Sequence, residues 1–215
     1  MILVIADSHA CMFSGFDQMI DAFPTLTPTN SIFTACRMGA YTAFGLMNKH
    51  EDVCNVIHAH YINKTDDIII FAFGEVDCRA HIARLYLNEN APIRDLIKNT
   101  INNYFVEIDN IKSMGYNIFV CGTSPTSFAH DDPNFNYPIF GDTEIFRNNL
   151  VKDFNEALKY RCIQENYRFM DIFPNFINDD MTSKRECFMD NDPLHLKSSI
   201  VLPILEKEFY RAYNA

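Results

Sequence analysis

Five short runs rich in β-forming residues punctuate this chain, and longer amphipathic stretches separate several of them. The runs are Met1–Ala6, Ser31–Cys36, Asp67–Phe73, Tyr116–Cys121 and Tyr167–Ile172, all too short for an ordinary helix. Met1–Ala6 is apolar throughout, as a strand covered on both faces is. Between the runs, Pro92–Met114 opens on a proline and stops before Gly115, the usual asymmetry of a helix. Thr143–Glu165 reads as a second helix, with Asp142 or Thr143 as its cap, and Leu196–Tyr213 as the last. Pro203 lies inside that last pattern and predicts a kink or a late start.

Strand and helix in alternation predict an α/β fold of three layers: a flavodoxin-like, doubly wound parallel sheet of about five strands. Right-handed crossovers then bring the carboxyl ends of all strands to one edge, where such sheets bind ligands. A length of 215 residues suits one domain spanning 1–215. Thr123–Asp142 is the one long irregular stretch, and a loop of that length in a compact domain tends to serve function.

Charge and cysteine usage narrow the partners. Eighteen basic against 28 acidic residues give a formal charge of −10, and no basic cluster offsets it. Nucleic acid is therefore an unfavoured partner. No apolar stretch approaches the length of a membrane span, so no membrane partner is expected. The chain opens without a basic segment ahead of an apolar one, which reads as no signal peptide. Seven scattered cysteines, with no C-x-x-C pair, read as reduced buried thiols. Together these predict a cytoplasmic protein.

The segments that follow the strands carry the chemistry. Ala6-Asp7-Ser8-His9 ends the first run, Gly74-Glu75-Val76-Asp77-Cys78-Arg79 follows the third, and Asp192-Pro193-Leu194-His195 precedes the last helix. A parallel sheet gathers all three at one edge. Acyl transfer needs such a set. A serine hydroxyl requires a base within hydrogen-bond reach, histidine has a suitable pKa, and a carboxylate fixes the imidazole tautomer. Asp192 and His195, three apart at the start of the last helix, can point the same way. Backbone N–H groups at a turn hold a developing oxyanion, and those of Ser8 and Gly39 are the candidates. Each segment also has a plainer reading: Asp7-Ser8 as a helix cap, Asp192-Pro193 as a turn, and Glu75, Asp77 and Arg79 as a structural ion network.

In order and spacing these segments resemble the blocks of the SGNH/GDSL hydrolase superfamily. Asp7-Ser8 matches its nucleophile block, Gly39 its second-block glycine, Gly74 and Asp77 its third block, and Asp192 and His195 its last. The resemblance implies Ser8, His195 and Asp192 as catalytic residues, and an oxyanion site at the Ser8 and Gly39 amides. Two positions depart. Ala6 replaces a glycine, and Val76 replaces the asparagine whose side chain donates to the oxyanion in the family. Arg79 is the nearest charged donor in sequence, and His9 the next. Losing such a donor typically costs ~3 kcal/mol of transition-state stabilisation. The Gly74–Arg79 run looks like a divergent, glycan-associated branch of acyltransferases and esterases.

The expectation for function is a serine acyl-transfer enzyme passing acetyl from acetyl-CoA to an amine or hydroxyl of a sugar or sugar nucleotide. Alternatives are an esterase or carbohydrate deacetylase, and a non-catalytic carbohydrate-binding domain on the same scaffold. A phosphate-binding receiver would leave the Asp192/His195 pair without a role. Expected substrate-binding residues are Asp7, His9, Arg37, Gly74, Glu75, Asp77, Phe128, His130 and Tyr137. Arg37, Arg79 and Arg84 are candidate phosphate contacts. The aromatic and acidic side chains of the 123–142 loop suit a sugar ring and suggest a lid. His58 and His60 would share one face of a short strand, but no third ligand is obvious and no metal is expected.

Overall fold

The computed structural model describes residues 1–126, 128, 138–141, 143–190 and 192–215. Five parallel strands form the central sheet: β1 (Ile2–Ala6), β2 (Thr34–Arg37), β3 (Ile68–Ala72), β4 (Asn117–Cys121) and β5 (Arg168–Met170). Their order is β2-β1-β3-β4-β5, the flavodoxin-like arrangement expected. Val4 stands opposite Ala35 and Ile70, and Ile70 opposite Phe119. That register sorts the side chains. Leu3, Ile5, Ile69 and Phe71 enter one apolar layer, and Val4, Ala6, Ile70 and Ala72 the other. A strand covered on both faces has no polar side, which is why these runs are continuous in the sequence.

Helices α1 (His50–Ala59), α2 (Ala83–Glu89), α3 (Ile93–Ser113), α4 (Glu144–Gln164) and α5 (Ser198–Tyr213) complete the layers. Val53 and Ile57 of α1, Ile101, Tyr104 and Ile108 of α3, and Leu150, Phe154 and Leu158 of α4 pack in the first layer. Val201, Leu205 and Phe209 of α5 fill the second, with Met12 and Phe13. Helix α3 buries residues at three- and four-residue spacing, and beyond its cap Met114 comes Gly115, whose φ of +93° suits a residue without a side chain.

Three local expectations are corrected. Asp192–His195 is a strand, not the opening of a helix: β7 (Asp192–Leu196) pairs antiparallel with β6 (Phe188–Met189). Burial of Leu194, Leu196 and Phe188 holds this small ribbon against the second layer. Helix α5 starts at Ser198 because β7 uses Leu196, and it continues through Pro203. His58 lies within α1 and His60 caps its end, so the two rings do not share a strand face. Among the described residues, no helix is long and apolar enough to cross a membrane.

Candidate active site

Strand β1 lies between β2 and β3, so the chain leaving Ala6 enters the crevice where strand order reverses. Asp7 is extended, and a 3-10 helix, Ser8–Phe13, begins at once. The Asp7 carboxylate accepts from the His9 amide at 2.8 Å and fixes that turn. Asp7, His9 and Ala10 are buried, whereas Ser8 is half-exposed. The hydroxyl is thus presented at the surface of a rigid, packed segment.

The ribbon β6–β7 brings the second group. His195 is fully buried, and its Nε2 lies 2.8 Å from Ser8 Oγ. Its Nδ1 lies 2.5 Å from Asp192 Oδ2. Asp192 Oδ1 accepts from the amides of Leu194 and His195, so a local turn orients the carboxylate. Burial disfavours the His195 cation; Asp192 opposes this, the charge of His9 reinforces it, and the net shift is downward. Burial also pushes the Asp192 carboxyl up, but the hydrogen bond and charge of His195 outweigh that, and Asp192 stays ionised below the usual range. A neutral imidazole against an ionised carboxylate directs Nδ1–H to Asp192 and leaves Nε2 to accept from Ser8.

Around this triplet the other expected residues separate into two groups. Gly39 follows β2 with φ +88° and open space where a side chain would be. Among the described residues, neither the Ser8 amide nor the Gly39 amide has an acceptor in the protein. Arg37 is half-exposed and bonds the Ile20 carbonyl through Nη1. Arg84, on α2, is also half-exposed.

The third-block residues instead build the floor. Gly74 has φ +132°, and a Cβ there would come within 2.4 Å of Thr123 Oγ1 and 2.6 Å of the Phe154 ring. Asp77 is fully buried and accepts from the Ala43 and Phe44 amides at 2.7 and 3.0 Å, tying down the loop that follows Gly39. Burial pushes its carboxyl up to about 7 against those two bonds. Glu75 accepts from Arg79 Nε and from Thr126 Oγ1. Arg79 also donates to the Pro138 carbonyl through Nη1. Gly74, Glu75 and Asp77 therefore commit their space or polar atoms to the protein itself. The chain winds as a π-helix over Asp77–Ile82, a rare geometry that tends to occur near functional sites.

Of the expected lid, Thr123, Ser124 and Thr126 are buried, and Thr123 and Thr126 are anchored. Asn155 on α4 brackets Thr123 with two hydrogen bonds, and Asn148 accepts from the Thr126 amide. These two helix asparagines were not anticipated; a polar residue at a core-facing helical position was the available signal. Phe128 meets Phe188 edge-on and carries the Arg185 guanidinium over its face. His130 and Tyr137 lie outside the described residues. Among the described residues, no group of three or more His, Cys, Asp or Glu side chains could hold a metal ion.

No family model and no curated protein matches this sequence. Solved structures do match over nearly the whole chain. A GDSL-like lipase from Bacteroides thetaiotaomicron superposes with a TM-score of 0.58 at 9% identity, covering 99% of this chain and 87% of that one. The acetyl xylan esterase AlAXEase gives 0.57 at 10%, covering 98% and 99%. The OSK domain of Drosophila Oskar gives 0.58 at 12%, covering 99% and 88%. The chain has the three-layer fold of GDSL lipolytic proteins, and that fold alone does not assign a reaction.

Proposed function

We propose that this chain transfers acyl groups through Ser8. The observation that carries the reading is the hydrogen-bonded line Ser8 Oγ, His195 Nε2, His195 Nδ1, Asp192 Oδ2 at the switch point of the sheet. Ser8 Oγ attacks the acyl carbonyl while its proton passes to His195 Nε2, and Asp192 stabilises the imidazolium. The Ser8 and Gly39 amides receive the oxyanion. Collapse releases the leaving group with the proton from His195 and leaves Ser8 acylated. Water then completes an ester hydrolysis, or a hydroxyl or amine completes a transfer.

Acyl-ester hydrolysis is the broader form, and the lipase and esterase among the fold neighbours support it. The finer form we propose is acetyl transfer from acetyl-CoA to a sugar or sugar nucleotide. Val76 favours it: with one oxyanion donor fewer, an activated thioester is an easier substrate than an alkyl ester. A cytoplasmic setting for the reaction belongs to the same proposal. Labelling by a serine-directed fluorophosphonate, abolished in Ser8→Ala, tests the broader form. Radiolabelled acetyl-CoA with amino-sugar nucleotides tests the finer one. Steady release of acetate without labelled sugar rejects transfer, and an unlabelled wild-type protein that still binds carbohydrate supports a binding domain instead.

A further inference from the structure

His9 follows the proposed nucleophile and takes no part in the proton path above. Its side chain is buried, its Nδ1 lies 2.9 Å from Asp7 Oδ1, and its ring centroid lies 5.0 Å from that of His195. Charged groups surround it. Asp7 holds it from the same turn. From the segment after β3, Glu75 Oε2 lies 3.9 Å from Nε2, and Arg79 pairs with Glu75. On β7, Asp192 stands behind His195. Asp77, also buried, feels the charge of Asp7. Two buried carboxylates, Asp7 and Glu75, thus share this site with Arg79, and a protonated His9 would balance the remaining negative charge.

An imidazolium needs a partner for each N–H. Among the described residues, His9 Nε2 has no hydrogen-bond partner, and neither do Asp7 Oδ2 or Ser124 Oγ. All three residues line one cavity of about 10 Å³, with Glu75 and Thr123 also in its wall. That volume suits a single water, which requires two to four polar partners. Three polar atoms without a partner among the described residues thus face one small cavity. A water in that cavity would accept from a protonated His9 Nε2 and donate toward Asp7 Oδ2.

We propose that His9 is a positioning residue for the reaction: held as a cation by Asp7 and one buried water, it sets positive charge against the His195 ring and keeps His195 in its base form. The proposal rests on the reading of Ser8 and His195 given above. Burial disfavours the His9 cation, yet the charge and hydrogen bond of Asp7, with Glu75, outweigh burial and raise its pKa. The same cation contributes to the downward shift of His195.

Two measurements test this. In the wild-type chain, imidazole nitrogen shifts followed by NMR against pH should show His9 keeping its proton above the pH at which His195 loses its own; the reverse order overturns the proposal. His9→Asn keeps a donor toward Asp7 and removes the cation. The acid limb of fluorophosphonate labelling should then move up by about one pH unit. An unchanged midpoint in a folded His9→Asn protein also overturns the proposal. A wild-type chain that is never labelled rejects the reading of Ser8 instead, and the titration order still decides the charge on His9. The wild-type titration decides equally if His9→Asn does not fold.

Discussion

His195 carries a pH signature that separates a working base from a buried ornament. In the proposed reaction its imidazole must be neutral to take the Ser8 proton, and burial together with the nearby His9 lowers its pKa despite Asp192. Protonation then removes the base only at a pH below the ordinary histidine value of about 6.5. The acid limb of kcat/KM should fall below that value, and a limb well above it would refute the assignment. That Ser8, His195 and Asp192 meet was legible because a parallel sheet gathers the segments that carry them at one edge. The paired role of His9 was not, because nothing in Asp-Ser-His states that the ring turns inward to a second carboxylate. Glu75 and Arg79 were legible as an ion network, whereas their contacts with Thr126 and Pro138 bridge positions far apart in sequence.

Strands β1 and β3 were readable because a parallel strand covered on both faces is apolar throughout. Strands β2, β4 and β5 carry a polar or charged residue at an end and were marked by their β-forming residues. Helices α3 and α4 declared themselves by length and by their ends. The ribbon β6–β7 did not, since Asp192-Pro193 has no strand preference and only packing and the Asp192 turn make it extended. Helix α1 was hidden by a mixed sequence, His50-Glu-Asp-Val-Cys-Asn-Val-Ile-His-Ala59, with few apolar positions to mark a face. The ribbon and α5 must also hold still relative to the Ser8 segment, and Ser198 joins them. Fully buried, it donates to the Met12 carbonyl at 3.0 Å and accepts from the Gly15 amide at 2.9 Å. Ser198→Ala leaves both backbone groups short of a partner. It should cost about 2 kcal/mol in urea unfolding and lower kcat more than it raises KM. A variant with unchanged stability would show that these two bonds do not hold the helix to the Ser8 segment.

Both apolar layers close over the sheet, and the cysteines report how completely. All seven are free; six are buried and only Cys54, on α1, is partly exposed. Burial pushes Cys11, Cys36 and Cys162 up to about 12 and raises Cys78 and Cys121 well above the usual thiol range. Reaction needs both access and thiolate, so the buried thiols are doubly protected. Cys54 is slowed as well, by burial and by the charge of Glu107. These cysteines sit on different elements: Cys36 on β2, Cys121 on β4, Cys162 on α4 and Cys11 in the 3-10 helix beside Ser8. A thiol reagent should therefore modify one cysteine slowly in the native protein and all seven in denaturant. If the layers open as one unit, the six buried thiols should become reactive together as urea is raised. Early reaction of Cys11 or Cys187 alone would show that the segments carrying Ser8 and His195 open independently of the sheet. The line from Ser8 to Asp192 would then be one arrangement among several, not a fixed feature of the fold.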